Sequence, residues 1–168
     1  EQVVVQQSLA GYKEIEVVVQ RDSSGTMMML SMIEDMDPIG IHAGDSIAFN
    51  PVQTLRDRQI QDIRDTAFAI TRKLRIVGTN HIQFALDTNS DRFYVIKSSP
   101  YFDRITAFVS QSTGYPIAQV TAQLYVEQKS GRWGRFLVSA EALLKHFSKL
   151  LNPVITSQLT FILPLKSN

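Results

Sequence analysis

Two side chains near the end of a predicted hairpin carry the first hint of chemistry: Gln83 and Lys97, an amide and an amine. They lie in the stretch Asn80 to Arg104, which reads as two short strands, a five-residue polar turn and a proline-marked exit into a helix. Ile82, Phe84 and Leu86 alternate with Gln83 and Ala85, the period of a half-buried strand. Asp87 to Asp91 supplies turn formers. Phe93 to Ile96 is aromatic and β-branched, as a returning strand is. A turn centred near Asn89 sets Gln83 opposite Val95, with Lys97 two residues further along on the same face. One face of the hairpin then presents both polar groups just before a loop, a place suited to chemistry.

Three other stretches invite a functional reading. Met27, Met28, Met29 and Met32 could form a thioether metal site or a flexible binding surface. Their spacing in an apolar strand reads instead as adaptable filler on both faces of a buried strand. Asp35 to Pro51 has little periodicity and contains Asp37-Pro38, Gly40, Gly44 and Asn50-Pro51. A loop of that length inside a compact domain is usually functional or mobile. Lys129 to Arg135 is a basic loop around Trp133, but a few cations and one ring read as an ordinary surface loop rather than a nucleic-acid interface.

The elements that must position these residues follow from pattern. Residues 1 to 6, with Val3, Val4 and Val5, look like a strand. Glu14 to Arg21 alternates Ile15, Val17 and Val19 against Glu14, Glu16 and Gln20. Asp22 to Gly25 is a hairpin turn, and Thr26 to Ile33 returns from it. Thr54 is the expected cap of a helix whose inner stripe is Ile60, Ile63, Ala67, Ile70 and Leu74. Its alternating charges form a solvated face. A helix is expected over Arg104 to Thr113, ended by Gly114, and another after Tyr115-Pro116 with Ile117, Val120, Thr121 and Leu124 inward. Ser139 is expected to cap a last amphipathic helix, and Val154 to Leu165 to form a strand. Hairpins separated by helices argue for an α+β layer, an antiparallel sheet with helices packed on one face.

Composition bounds the function. The 168 residues suffice for one domain with a real core, and 44% hydrophobic with 20% charged is an ordinary globular balance. A net charge of +1 supplies no field that favours nucleic acid. The absence of cysteine excludes disulfides, zinc-thiolate sites and thiol nucleophiles from this chain. No apolar run approaches the ~20 residues of a membrane span and no signal peptide opens the chain, so the expectation is a cytoplasmic protein with no membrane partner. A start at Glu1 in a β-rich run reads as a piece of something longer.

Five separated blocks together resemble one family. They are SLAGYKEIE at 8–16, DPIGIHAGDSI at 37–47, PVQTL at 51–55, IQFAL at 82–86 and TGYPIA at 113–118. In order and spacing they are similar to the second half of an ATP-grasp domain of the carbamoyl-phosphate synthase large subunit, from about Val5 to Ala122. The glycine-bracketed loop around His42 is the most specific block, and beyond Tyr125 the likeness thins. The resemblance implies an ATP-grasp C-terminal subdomain over 1–124, with 125–168 a diverged helical extension of the same domain. It implies an ATP-dependent ligase that makes carbamoyl phosphate from bicarbonate and from ammonia or glutamine, with magnesium, in pyrimidine and arginine biosynthesis. It also implies as partners the remainder of the ATP-grasp domain and a glutaminase small subunit, with a homo-oligomer as a further option.

Residue by residue, the resemblance puts Leu9 on adenine and Glu14 on ribose. Gly40, Ile41 and His42 line the nucleotide and phosphate region. Gln83 is a metal or phosphate contact, and Arg104 matches a family arginine. The physics agrees in part: a carboxylate accepts from sugar hydroxyls, and a loop bracketed by Gly40 and Gly44 lets backbone amides approach anionic oxygens.

Two departures stand out. Gln7 replaces an acidic position near the adenine. Where the family carries Glu-x-Asn-Pro-Arg, this chain has Lys97-Ser98-Ser99-Pro100-Tyr101. Magnesium wants hard oxygen ligands, and an ammonium has no acceptor atom. At ~4 Å and an effective dielectric of about 20, the repulsion between lysine and a dication is roughly 8 kcal/mol. Gln83, Lys97 and Ser99 are therefore read as vestigial metal positions, with ATP possible and magnesium unfavourable there. The resemblance covers only half of a nucleotide sandwich, and closure over ATP is what makes phosphoryl transfer efficient. The expectation is no catalytic residue and no activity by this chain alone. The alternative is a nucleotide-sensing or protein-interaction module, with Tyr101 and Phe102 filling the old cleft in the pure interaction version.

Overall fold

A computed structural model describes residues 2–42 and 45–127. Its elements run β1 (Lys13–Arg21), β2 (Met27–Pro38), β3 (Ala48–Phe49), α1 (Asp57–Lys73), β4 (Gly78–Leu86), β5 (Phe93–Ser99), α2 (Arg104–Thr113) and α3 (Ile117–Glu127). The strands form one sheet in the order β3-β2-β1-β4-β5, and every neighbouring pair is antiparallel. The α+β class with an antiparallel sheet is therefore as expected.

β1 lies at the centre, paired on both sides, and Glu14 to Gln20 are all buried. Period two divides it between two cores. Ile15, Val17 and Val19 join Met32, Ile82, Phe84 and Leu86 beneath Ile63 and Ala67 of α1. Val18 joins Met28 and Ile33 on the opposite face, beneath Ile105, Phe108 and Val109 of α2 and Ile117, Val120 and Leu124 of α3. The helices, expected on one face, are thus divided between two. The cause is visible in β1 itself: its second face carries Val18 between Glu16 and Gln20, so half of that face needs an apolar cover as well.

Several local expectations shift for physical reasons. Val3, Val4 and Val5 are 82%, 86% and 89% exposed and belong to no strand, since no neighbour offers them a ladder among the described residues. The long loop after Ile33 shortens, because β2 continues through Pro38 and a two-residue β3 pairs Phe49 with Glu34 and Ala48 with Asp35. Thr54 does not cap α1. Its hydroxyl donates to Glu34 Oε1 at 2.5 Å and its amide to Oε2 at 3.0 Å, while Lys13 Nζ meets Oε1 at 2.6 Å. These bonds hold the Glu34 carboxyl below the usual glutamate range against the opposing effect of burial. The helix starts two residues later, where Gln59 Oε1 accepts from the Arg56 amide at 2.8 Å. Leu74, expected inside, is 56% exposed just past the end of α1. The basic loop at 129–135, the helix expected after Ser139 and the strand expected at 154–165 lie outside the described residues.

α2 and α3 follow the pattern closely. Asp103 caps α2, accepting from the Thr106 amide at 3.0 Å, and Gly114 ends it at φ +69°. Gly78 opens β4 at φ +91°, and a Cβ there would lie 3.0 Å from the Tyr125 ring and 3.1 Å from Thr121 Cγ2. Gly78→Ala combines a left-handed strain with that crowding, so a loss of about 2 kcal/mol is expected. Thermal unfolding of the variant checks it, and an unchanged midpoint would show that the strand start relaxes freely.

Candidate functional site

The face of the sheet beneath α2 and α3 changes character along its length. At one end it is Val18, Met28 and Ile33. At the other it is acidic. Glu14 and Glu16 are two apart on β1 and so share this face. Glu16 pairs with Ile33, which puts Asp35 on the same side of β2. The three carboxylates are buried and can each offer an oxygen within 4.8 Å of the others.

The cluster is short of partners. Glu14 Oε1 accepts from Gln83 Nε2. Glu16 Oε2 and Asp35 Oδ1 are buried with no hydrogen-bond donor. Burial, and then the charges of Glu16 and Glu14, push the Asp35 carboxyl up to about 7. Burial also raises Glu14, with the bond from Gln83 working against it. Three carboxylates that crowd one another and leave oxygens orphaned are chemically suited to a hard cation, which prefers carboxylate oxygen. Glu14, Glu16 and Asp35 are the residues that could hold one.

A second group borders the cluster. His81 on β4 is buried, and its Nδ1 lies 2.6 Å from Asp103 Oδ2. Its Nε2 is 3.5 Å from Glu16 Oε1. Burial opposes a charge on the ring, but Asp103 and Glu16 outweigh it and lift the imidazole to about 9. For Asp103, burial is likewise outweighed by the bonds from His81 and the Thr106 amide, which bring it down to about 2. His81 is thus an imidazolium at neutral pH, fixed between two carboxylates from different elements. Arg104, the exposed first residue of α2, adds positive potential that both Glu14 and Asp35 feel.

The expected hairpin register is displaced by two residues at Gln83, which pairs with Lys97 rather than Val95. One residue of the shift is already present nearer the turn, where Phe84 pairs with Val95, and an irregularity at Ile96 adds the second. Gln83 also pairs with Glu16. Glu16, Gln83 and Lys97 therefore form one row across three adjacent strands, on the acidic face. Lys97 is exposed and makes no ion pair among the described residues. Water screens an exposed ammonium, so the repulsion between Lys97 and a cation falls well below the value expected for a close, partly buried pair. Ser99 is buried and pairs with His81.

Of the residues expected at the site, the structure brings Glu14 and Gln83 into contact and sets the charge of Arg104 beside them. Leu9 is half-buried ahead of β1, its carbonyl accepting from the Tyr12 amide at 3.1 Å. Gly40, Ile41 and His42 lie in the exposed turn after β2, with Gly40 at φ +81° and Ile41 half exposed. His42 Nδ1 sits 3.2 Å from Asp37 Oδ2, so its partner is at the end of β2, just before its own turn. Tyr101 and Phe102 are 73% and 50% exposed; among the described residues they fill no cleft.

Four residues escaped the sequence reading: Glu16, Asp35, His81 and Asp103. Glu16 was visible as the second acid of an alternating pair, but alternation does not say whether its side of β1 is covered. Asp35 fell in a stretch taken for loop. His81 and Asp103 are distant in sequence, and only the antiparallel return of β5 brings them together.

Comparison with known proteins gives consistent results. A family model described as "Carbamoyl-phosphate synthase L chain, ATP binding domain" matches residues 1–130. A carbamoyl phosphate synthase large chain from Thermomicrobium roseum is 50% identical over 125 residues, which are 74% of this chain and 12% of that protein. The chain thus spans about an eighth of this relative's length. Among solved structures, a pyruvate carboxylase variant from Rhizobium etli with the allosteric activator acetyl coenzyme-A matches 71% of the chain and 10% of its own, with a TM-score of 0.62 and 15% identity. A biotin carboxylase–ATP-analogue complex from Campylobacter jejuni matches 71% of the chain and 26% of its own, with a TM-score of 0.61 and 18% identity. At those identities the likeness is one of fold.

Proposed function

Because this chain belongs to the carbamoyl-phosphate synthase L chain ATP-binding domain family, we propose that it forms one wall of an ATP-grasp nucleotide site and performs no phosphoryl transfer by itself. In this reading Glu14 receives the ribose hydroxyls, and Leu9 with the turn of Gly40, Ile41 and His42 borders the base and phosphates. Gln83 and Arg104 face the phosphate end. The other wall, and with it any ligase activity, belongs to the rest of a longer protein, together with any glutaminase partner.

The observation that carries the proposal is the row Glu16–Gln83–Lys97 across β1, β4 and β5. It sets an amine at the strand end where the resemblance implies an acidic metal ligand. Lys97 offers no acceptor to magnesium and Ser99 only a neutral oxygen, so positions 83, 97 and 99 do not suit that ion. The carboxylates of Glu14, Glu16 and Asp35 do suit a hard cation, and they would hold it on the β1–β2 side instead. A bound cation would neutralise the acidic floor beneath the nucleotide. Lys97 and Arg104 would meet its phosphates as charges.

Titrating ATP calorimetrically with and without magnesium tests this. Binding that persists without magnesium and weakens about tenfold (~1.4 kcal/mol) in Lys97→Ala is the expected result. Binding that requires magnesium in the native chain would favour a working metal site in the family manner. No binding under either condition would favour a protein-interaction module.

A reciprocal variant sharpens the point. Lys97→Glu with Ser99→Asn returns two oxygen ligands to the end of β5. We expect ATP binding to become magnesium-dependent, by about tenfold. If magnesium has no effect on the double variant, the end of β5 is not the metal position of this fold.

A further inference from the structure

The imidazole of His81 joins three elements. It belongs to β4, its Nδ1 meets Asp103 ahead of α2 at 2.6 Å, and its Nε2 faces Glu16 of β1 at 3.5 Å. The Nδ1 bond is the close one; Nε2 is buried with no hydrogen-bond partner and makes only the longer ion-pair contact. Asp103 in turn divides its carboxylate. Oδ1 accepts from the Thr106 amide at 3.0 Å and so caps α2, while Oδ2 is the atom that His81 holds. The position of the helix start is thereby tied to the sheet through a single side chain.

Arg104 is the next residue. It is exposed and makes no ion pair among the described residues, yet its charge reaches Glu14 and Asp35. Among the described residues no hydrogen bond fixes its direction. Core burial also holds α2, through Ile105 in its first turn and Phe108 and Val109 beyond it. Loss of the His81 contact therefore leaves the helix seated through these side chains and loosens mainly its capping end, where Arg104 is exposed.

We infer that His81 is a positioning residue, which locks the first turn of α2 to the sheet and so aims Arg104 over the carboxylate end of the site. Its consequence for nucleotide binding rests on the proposed function; its effect on the helix start does not. Arg104 supplies the contact to an anionic ligand, and His81 touches no ligand itself. A guanidinium held in one place loses less freedom on binding phosphate than one on a fraying turn.

The test uses the 168-residue chain and two variants that break the same bond, His81→Asn and Asp103→Asn. Asp103→Asn retains a side chain able to cap the helix. Amide hydrogen exchange is read at Thr106 and Ala107, the first amides that α2 protects, and along α3. About tenfold faster exchange at Thr106 and Ala107, with α3 unchanged, is the expected result. Unchanged exchange there, or equal acceleration throughout, overturns the inference.

ATP affinity is then measured for His81→Asn, Arg104→Gln and the double variant. Each single variant is expected to weaken binding about fivefold, and the double variant no further, because both remove one contact. Losses that multiply in the double variant overturn positioning through Arg104. A native chain that binds no ATP but shows the local exchange response overturns the nucleotide reading and upholds His81 as the lock on α2.

Discussion

Between pH 6.5 and pH 9 the folded chain is expected to lose about 3 kcal/mol of stability. His81 has an ordinary value of 6.5 and is lifted to about 9 in the fold, facing Asp103 from α2 and Glu16 from β1, with Glu14 further along the same strand. A histidine whose folded value is raised binds its proton more tightly when folded. Its contribution is therefore complete below 6.5 and disappears as pH rises through 9. The depression of Asp103 to about 2 is the same contact seen from the other partner, so it is counted once. Asp103 sets the acid side of the window, where its contribution is lost below its ordinary value of 3.8. Urea unfolding at pH 6.5, 7.5 and 9 measures the slope. His81→Gln should be less stable at pH 6.5 and lose only about 1 kcal/mol across the window, from the titration of Asp35 near 7. A native chain as flat as the variant would mean that the imidazole is neutral and the two carboxylates find their counter-charge elsewhere.

The same residues show how far a sequence alone can reach. The alternation of Ile15, Val17 and Val19 against Glu14 and Glu16 announced β1 and both of its faces, because period two is a local property. What it left open is which face water reaches. That depends on α2 and α3 returning over β1 from about a hundred residues downstream, a tertiary fact with no local signature. Glu16 thus read only as a polar residue opposite the apolar stripe and proved buried. The Gly114 stop of α2 was legible because capping chemistry acts within one turn. The Thr54 cap was misread because Glu34, from β2, takes up its hydroxyl and amide. The pairing of β4 and β5 was right in direction, but displaced by one residue at the turn and by a second at the irregularity near Ile96, neither of which alternation encodes. For the site, Glu14, Gln83 and Arg104 came from the resemblance, and the structure sets them together. Asp35, His81 and Asp103 needed coordinates, since their meaning lies in which charges face them.

Asp35→Asn should make the chain more stable, by on the order of 3 kcal/mol at pH 8 in buffer without divalent or potassium ions. Removing a buried charge usually harms a protein when its partner is left behind, but here the neighbours are Glu14 and Glu16, which repel it. A carboxyl raised from 3.8 to about 7 holds its proton in the fold and loses that advantage as pH rises past 7, so at pH 8 the ionised group works against folding. Asparagine keeps the shape and omits the charge. The same measurement separates two origins of the cluster. If the acids are kept for a cation, millimolar magnesium or potassium should raise the melting temperature of the native chain and leave Asp35→Asn nearly unmoved, since the variant has lost a ligand along with the repulsion. If the acids are kept for His81 alone, neither ion should shift either chain, and the asparagine variant should stay the more stable under every condition. A native chain more stable than the variant in ion-free buffer would overturn both, because the three carboxylates would then not be in conflict at all.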